Sequence, residues 1–381
     1  MTLSLEVLER LVAFETVSDR SNLAMIAYIE DFLRSRGFRV QRIADAEEEK
    51  AGLFAEIGPS VEGGLLLSAH SDVVTVAGQE WSLPPFKLTR QGDRLFGRGT
   101  TDMKGFLAEM LAVADAVHRR DLKAPLKLLV SYDEEIGCVG ISRMKDCLPP
   151  LLGRPRLAIV GEPTEMQVAI GHKGKRAYRV ETHGEVGHSA LAPTFVNALH
   201  LAVDFVGKLR DMQRAARATG PRNEAYDVPY TTFHVGQLSG GTALNLVPDR
   251  ATLLFEFRHL AEDDPGEIEA QLQRAAEAVT AEFSAPADIS LQALAGYPGL
   301  SVAASDPVVS LAQSWCGGDT THVAFGTEAG VLSGLGVPTV VCGPGSMAGQ
   351  GHKPNEFISM QQLNDCSVML QNGAEQVLYR S

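Results

Sequence analysis

The chain has 381 residues, 45% of them hydrophobic, which is enough apolar material to bury the cores of two domains. Its 34 basic and 47 acidic residues give a net charge of −13, without a basic stripe interleaved with aromatic residues. Such a chain is poorly suited to neutralising phosphates, so neither nucleic acid nor an anionic membrane surface is an expected partner.

The five cysteines are odd in number and form no CxxC pair. This pattern argues against a disulfide framework and against a thiolate zinc site, so a reducing cytoplasm is the expected location. The segment from Met1 to Phe14 mixes charged residues into an amphipathic pattern, unlike the basic start and apolar core of a secretory signal. No apolar run is long enough to span a bilayer.

Helical and strand-like segments alternate in the first part of the chain. Helices are predicted over 3–14 and 22–36, and the second ends at Gly37 before a strand over 38–42. Apolar runs predict buried strands over 65–67, 128–132 and 157–160, with a helix over 103–119 between the first two. This alternation indicates a mostly parallel sheet covered by helices.

The pattern changes after about His172. The predicted order is then strand, helix, strand, strand, helix, strand, over 177–182, 197–216, 231–238, 252–258, 265–283 and 289–294. This order matches the ferredoxin-like unit, and α/β character resumes after it. We therefore predict an α/β protein with a discontinuous main domain, residues 1–173 and 295–381, and an inserted α+β domain, residues 174–294.

Histidines and carboxylates follow the apolar runs or lie in loops beside the predicted elements. In an open α/β sheet, side chains at the carboxyl ends of different strands converge on one crevice. The candidates are His70, Asp72, Asp102, Glu134, Glu135, Glu162 and His352.

His70 and Asp72 are two residues apart, so their side chains lean the same way at the end of a strand. The Asp72 carboxylate could accept the proton of the His70 ring nitrogen that faces away from a metal, which would fix the tautomer. Taken alone, the pair could equally be a polar loop after a strand. Asp102 precedes a predicted helix, and a helix N-cap is the alternative for this residue.

Glu134 and Glu135 follow Asp133 at the end of an apolar strand, where adjacent carboxylates repel unless a cation or a proton neutralises them. Because neighbouring residues in an extended chain face opposite sides, one could bind metal while the other faces the substrate. A solvated acidic turn is the alternative. Glu162 and His352 could each be ordinary surface residues.

These alternatives weaken when the positions are considered together, because separate strand ends would each have to acquire a ligand-type residue independently. The pattern therefore predicts a two-metal hydrolase centre. Two histidines with carboxylates and no cysteine suit Zn²⁺, and Co²⁺ or Mn²⁺ are also compatible with such ligands.

Six segments resemble, in order, the motifs of the dinuclear zinc peptidases and deacylases, the family that includes aminoacylase, carboxypeptidase G and succinyl-diaminopimelate desuccinylase. They are SAHSDVV, GRGTTDMKG, SYDEEIG, VGEPT, GHSA and GHKPNEFI, and they span nearly the whole chain. The last departs modestly from the family pattern, with glycine and lysine flanking its histidine. The resemblance implies a zinc-hydrolase catalytic domain interrupted by a lid and dimerisation domain.

The resemblance also implies a ligand set for two Zn²⁺ ions. Asp102 would bridge the two metals. His70 and Glu162 would complete one site, and Glu135 and His352 would complete the other.

Three further roles follow from the resemblance. Glu134 would be the general base, and Asp72 would support His70. His188, the histidine of GHSA, would stabilise the oxyanion from the inserted domain of a partner subunit. The resemblance therefore implies a homodimer in which His188 acts in trans.

Several segments, especially FGTEAG, most resemble the family members that deacetylate N-acetyl-L-ornithine. Thr327 and Glu328 stand where desuccinylases and carboxypeptidases usually carry serine and aspartate. The Glu328 carboxylate could pair with the substrate's δ-ammonium group, or it could be a helix-start charge. Asn245 and Arg258 are candidates for binding the substrate carboxylate, although Arg258 could instead serve packing within its own domain.

The predicted function is hydrolysis of N-acetyl-L-ornithine to ornithine and acetate in arginine biosynthesis. The main alternative is a related enzyme acting on another N-acyl amino acid, on succinyl-diaminopimelate or on a dipeptide. A non-catalytic metal-binding scaffold is a second class of function, but it would have no chemical need for a base at Glu134. A dehydrogenase lacks support, since no GxGxxG follows a predicted strand.

Overall fold

The structure, a computed structural model, describes residues 2–47 and 49–379. The chain divides into two compact units. The first unit consists of Met1–His172 and Leu300–Ser381, and the second of Lys173–Gly299.

The elements are numbered in chain order. The strands are β1 (Arg39–Ala44), β2 (Ala51–Ile57), β3 (Leu65–His70), β4 (Thr89–Gln91), β5 (Arg94–Phe96), β6 (Leu126–Ser131), β7 (Leu157–Val160), β8 (Val168–His172), β9 (Gly174–His183), β10 (Gly187–His188), β11 (Thr232–Gly240), β12 (Leu246–Val247), β13 (Arg250–His259), β14 (Asp288–Tyr297), β15 (Leu300–Ser301), β16 (Thr320–Val323), β17 (Thr339–Val341) and β18 (Phe357–Ser359). The α-helices are α1 (Leu3–Val12), α2 (Leu23–Arg34), α3 (Lys104–Val117), α4 (Val139–Met144), α5 (Leu148–Leu152), α6 (Ala198–Thr219), α7 (Pro265–Thr280), α8 (Pro307–Cys316), α9 (Ala329–Gly334) and α10 (Met360–Val377).

The first unit is built on a large mixed sheet with the strand order β1-β2-β6-β3-β7-β17-β8-β15, and β16 pairs with β8. Its centre, β6-β3-β7-β17, is parallel, whereas β1, β2 and β15 pair in antiparallel fashion. Every residue of β3, β6 and β7 is buried. Strands covered on both faces read as continuous apolar runs, and the α/β class predicted from those runs is confirmed.

Helices cover this sheet. The predicted helices over 22–36 and 103–119 are confirmed as α2 and α3, and Gly37 adopts the left-handed φ of 81° just after α2. Helix α10 begins with a capping box in which the Ser359 side chain accepts from the Gln362 amide. The strand just before it, β18, pairs with β5 in a separate three-stranded sheet.

The second unit has a four-stranded antiparallel sheet in the order β11-β13-β9-β14. With α6 and α7, its chain order is β-α-β-β-α-β, the order predicted from the sequence and typical of a ferredoxin-like unit. Tyr178, Phe205, Phe255 and Phe257 form the centre of its core. A further two-stranded sheet joins β10 to β12.

Across the part of the chain that the structure describes, no helix combines the length and the hydrophobicity needed to cross a membrane.

Glu109 is a buried acid in the first unit, away from the predicted metal ligands. It lies on α3 with only 2% of its surface exposed, and its Oε2 has no hydrogen-bond partner among the described residues. Burial raises the pKa of Glu109 to about 7, although Ser4 and Ser367 offset part of the shift. Between about pH 4.5 and 7 the folded state therefore binds more protons than the unfolded state, and stability falls as the pH rises.

Replacing Glu109 with glutamine removes this titration. The quantity of interest is the free energy of unfolding of Glu109→Gln minus that of the wild type. We expect this difference to rise by about 2 kcal/mol between pH 5 and pH 8, because only the wild type loses stability over that range. Urea unfolding across this pH range measures the difference. Glu6→Gln, which changes an exposed glutamate on α1, is the control. A Glu109→Gln difference that did not vary with pH would contradict the raised pKa.

Candidate metal centre

The parallel strands bring the predicted ligands to one edge of the large sheet. His70 is the last residue of β3, Glu162 follows β7, and Glu135 follows β6. Because these strands run parallel, their carboxyl ends lie side by side. Asp102 precedes α3, and His352 lies in the long loop after β17.

The five side chains form two groups that share Asp102. In each group the potential ligand atoms lie within 4.8 Å of one another. His70 Nε2 lies 3.1 Å from Asp102 Oδ1 and 3.7 Å from Glu162 Oε1. His352 Nε2 lies 3.0 Å from both Asp102 Oδ2 and Glu135 Oε2. Asp102 therefore directs one oxygen towards each group.

The pKa shifts in both groups reflect buried, crowded charge. Burial, reinforced by the charge of Asp102, raises the pKa of Glu162 well above its usual range and that of Glu135 to about 7. Hydrogen bonds from His352 and His70 lower the pKa of Asp102 despite its burial. Hydrogen bonds to Asp102 and Glu135 raise the pKa of His352 to about 10. The carboxylates thus need positive charge nearby in order to be ionised together.

The donor set fits two divalent cations. Glu135 Oε1 and Glu162 Oε1 are buried and have no hydrogen-bond partner among the described residues, so each has a free acceptor oxygen. Each group offers one imidazole nitrogen and carboxylate oxygens without a thiolate, the chemistry that Zn²⁺, Co²⁺ and Mn²⁺ accept.

Asp72 connects the strand end carrying His70 to the turn carrying the paired glutamates. His70 Nδ1 lies 2.9 Å from the Asp72 carbonyl oxygen and 3.5 Å from its Oδ1. The Asp72 carboxylate also accepts the backbone N–H groups of Glu134 and Glu135, at 3.1 and 3.3 Å. Ser18 donates its hydroxyl to the same carboxylate at 2.7 Å. The His70 ring nitrogen is thus within hydrogen-bond distance of the Asp72 backbone carbonyl, not of the carboxylate predicted to accept its proton. The carboxylate instead holds the turn that carries Glu134 and Glu135.

Glu134 lies next to the ligand Glu135 and is itself outside both ligand groups. It is 9% exposed, and the Cys138 thiol donates to its Oε1 at 3.2 Å. Burial raises the pKa of Glu134 well above its usual range, and the charge of Glu135 adds to the shift.

A buried ion pair joins the loops that carry Asp102 and His352. Arg98 donates to Glu356 Oε2 at 2.6 Å, and both side chains are 1% exposed. Glu356 Oε1 accepts the backbone N–H groups of Thr101, at 2.9 Å, and Asp102, at 3.1 Å. Sequence reasoning missed this pair, although both residues lie inside segments already singled out, GRGTTDMKG and GHKPNEFI. The available signal was that Arg98 lies four residues before Asp102 and Glu356 four residues after His352.

Thr327 and Glu328 are buried at the start of α9. The Thr327 hydroxyl accepts the Ala329 amide at 3.1 Å, whereas the Glu328 side chain makes no capping hydrogen bond. In the described part of the chain neither carboxylate oxygen of Glu328 has a hydrogen-bond partner. Burial raises the pKa of Glu328 to about 7, and the nearby Ser131 hydroxyl offsets part of this shift. Its electrostatic neighbours include His70.

The other predicted site residues, His188, Asn245 and Arg258, lie in the second unit and belong to neither ligand group. His188 and Asn245 are exposed neighbours, because the Ser189 amide donates to the Asn245 carbonyl at 3.0 Å. His188 Nδ1 accepts the Ala190 amide at 3.1 Å. Arg258 on β13 is half-buried and donates to Glu256 at 2.9 Å.

Known proteins of one peptidase family are similar to this chain over most of its length. The model of peptidase family M20/M25/M40 matches residues 66–376. The chain is 32% identical over 374 residues to an acetylornithine deacetylase of Pasteurella multocida (strain Pm70), covering 96% of each protein. It is 32% identical over 371 residues to an acetylornithine deacetylase of Myxococcus xanthus, covering 95% of this chain and 94% of that protein.

Solved structures show the same fold. The M20 family metallo-carboxypeptidase Sso-CP2 from Sulfolobus solfataricus is similar with a TM-score of 0.81 at 20% identity, over 98% of each chain. The Bacillus subtilis YXEP protein, described as a dinuclear metal binding peptidase from the M20 family, is similar with a TM-score of 0.69 at 15% identity. That similarity covers 97% of this chain and 96% of the other.

The sharing of Asp102 predicts an asymmetric effect of removing ligands. Asp102→Ala is expected to lose both metal ions, because each group depends on one of its oxygens. Glu162→Ala and His352→Ala are each expected to retain about one ion per chain. Metal content after dialysis against a fixed free Zn²⁺ concentration measures the difference, and Glu62→Ala, which changes an exposed glutamate, is the control. One full-affinity ion in Asp102→Ala would contradict the shared role.

Proposed function

The chain belongs to peptidase family M20/M25/M40 and is a metal-dependent hydrolase of amide bonds, and we propose that it converts N-acetyl-L-ornithine and water to L-ornithine and acetate. The observation that carries the proposal is the pair of ligand groups around Asp102, with Glu134 immediately beside them. Two deacetylase relatives that match nearly the whole chain support this substrate. The proposed setting is the cytoplasm, within arginine biosynthesis.

The proposed ligands of one metal are His70, Asp102 and Glu162, and those of the other are Asp102, Glu135 and His352. Zn²⁺ is the proposed ion, and Co²⁺ or Mn²⁺ are possible substitutes. When bound, such a pair of cations lowers the pKa of a water molecule and polarises the amide carbonyl.

Glu134 is proposed to move the proton. Cys138 engages Oε1, so Oε2 is the oxygen available to take a proton from the attacking water. The raised pKa of Glu134 allows the carboxyl group to hold that proton until it passes to the departing amine nitrogen. Asp72 fixes the position of Glu134 relative to the ligand His70, because its carbonyl oxygen contacts the His70 ring and its carboxylate accepts the Glu134 amide.

His188 is proposed to stabilise the oxyanion in the active site of a partner subunit in a homodimer. Its Nδ1 accepts the Ala190 amide, so the neutral ring carries its proton on Nε2. An exposed Nε2–H is a donor suited to an oxyanion. The dimer and the contribution of His188 in trans both belong to this proposal.

The substrate is proposed to bind through its charged ends. Glu328 is a buried carboxylate whose oxygens have no hydrogen-bond partner in the described chain, and the δ-ammonium group of ornithine would supply donors and a compensating charge. Thr327 would hold the turn before α9. Asn245 and Arg258 are proposed to bind the substrate carboxylate, and Glu256 already orients the Arg258 guanidinium group.

Glu134→Gln tests the base, because glutamine cannot accept the proton. We expect kcat to fall by about 10²–10⁴-fold while the metal content stays at the wild-type value. Turnover and metal content are measured on the same preparation, with Glu62→Ala as the control. Turnover within about twofold of wild type would refute the role of Glu134.

Glu328→Gln tests the substrate. The wild type, stripped with a chelator and reloaded with Zn²⁺ or Co²⁺, is assayed on N-acetylornithine, succinyl-diaminopimelate, N-acetylmethionine and a dipeptide. We expect N-acetylornithine to be preferred, and Glu328→Gln to lower its kcat/KM by about 10²-fold while N-acetylmethionine changes little. An unaltered ratio between these two substrates would rule out the ammonium contact. Preference for another member of the panel would overturn the proposed substrate, and hydrolysis of none would favour the scaffold interpretation.

A further inference from the structure

The turn that carries Glu134 has an unusual backbone conformation. Asp133 has a φ of 53° and Cys138 a φ of 54°, both in the left-handed region that non-glycine residues seldom adopt. Such residues keep this conformation only where surrounding contacts hold it. Neither residue is a predicted ligand or takes part in the proton transfer proposed above. The placement of Glu134 therefore depends on contacts made to this turn from other segments.

Lys50 makes one of these contacts. It lies just before β2, and its ammonium group donates to Asp133 Oδ1 at 2.5 Å and to the carbonyl oxygen of Ser18. The Lys50 side chain is 15% exposed and that of Asp133 is 6% exposed, so water screens this ion pair little. Lys50 thus ties the residue preceding Glu134 to the N-terminal segment of the chain.

The same N-terminal segment reaches Glu134 by a second route. Ser18 donates its hydroxyl to Asp72 Oδ2, and Asp72 Oδ1 accepts the Glu134 amide. The contacts close a ring that runs from Lys50 through Asp133 to Glu134, then through Asp72 and Ser18 back to Lys50. A closed ring holds the backbone of Glu134 from both sides, which a single contact could not do.

Cys138 fixes the side chain of Glu134. The thiol is fully buried and donates to Glu134 Oε1 at 3.2 Å, four residues along the same turn. The Cys138 amide also donates to the Glu134 carbonyl oxygen at 2.8 Å. With one carboxylate oxygen held by sulfur, the other has a defined direction.

We infer that Lys50 and Cys138 are positioning residues for Glu134, Lys50 through its ion pair with Asp133 and Cys138 through its hydrogen bond to the carboxylate. The inference rests on the proposed function, in which Glu134 is the base. Neither residue belongs to a ligand group or to the proposed substrate contacts. Their loss should therefore lower kcat and leave metal content and KM unchanged.

The test compares Lys50→Met, Cys138→Ala and Cys138→Ser with two matched controls. Lys123→Met removes a lysine whose ion pair with Asp121 has the same 2.5 Å length but is exposed to solvent. Cys147→Ala removes a thiol that donates to a backbone carbonyl at 2.9 Å. Each variant is assayed for kcat, KM and metal content on the panel member that the wild type hydrolyses fastest. This choice separates the inference from the identity of the substrate.

We expect Lys50→Met to lower kcat by about 10–100-fold, since displacing a reacting group by about 1 Å costs roughly this much. Cys138→Ala should lower kcat by about tenfold, whereas Cys138→Ser, which keeps a donor, should stay within about threefold of wild type. Both controls should match the wild type. In a Glu134→Gln background, Lys50→Met should have no further effect, because the group that Lys50 positions is already absent.

An unchanged kcat in Lys50→Met, or an equal effect with and without Glu134, would overturn the assignment of Lys50. A loss of metal or a rise in KM that accompanies the fall in kcat would show a general structural role and would also overturn it. Equal activity of Cys138→Ala and Cys138→Ser would overturn the assignment of Cys138. If Glu134→Gln alone were fully active, the base role would fall and this inference with it.

Discussion

Repulsion among buried carboxylates around Asp102 is the constraint on which the rest of the first unit depends. Asp102, Glu135 and Glu162 are brought close together, and burial favours their protonated forms unless positive charge is held among them. The imidazoles of His70 and His352, and two bound cations, would offset that repulsion. The contacts around the centre hold these mutually repelling carboxylates in place at the ends of the strands.

Two connections perform this task on different sides of the centre. Asp72 joins the end of β3 to the turn after β6, and the buried Arg98–Glu356 pair joins the loop before α3 to the loop after β17. Both use a carboxylate that accepts backbone amides, so the position of the chain itself is fixed along with its side chains. The ligands are thus rigid because their backbones are held, and the apolar strands beneath them supply a stiff base.

The sequence predicted the parts that depend on local patterns. Fully buried strands such as β3 and β7 leave continuous apolar runs, and the carboxyl ends of parallel strands converge, so the neighbourhood of His70 and Glu162 could be foreseen. The antiparallel outer strands could not, because an apolar run carries no information about its direction. Contacts between distant segments also left no local signal. Lys50 and Asp133 lie 83 positions apart, and Arg98 and Glu356 lie 258 apart.

The position of β17 within the large sheet has a consequence for how the protein is made. In the finished sheet β17 lies between β7 and β8, yet it follows them in the chain by more than the whole length of the second unit. During synthesis, the edges of β7 and β8 that pair with β17 stay unpaired until residues 339–341 have been made. All the strands of the second unit's sheet are made earlier, so that sheet can form first. The smaller sheet can therefore be completed during synthesis before the last strand of the large sheet exists.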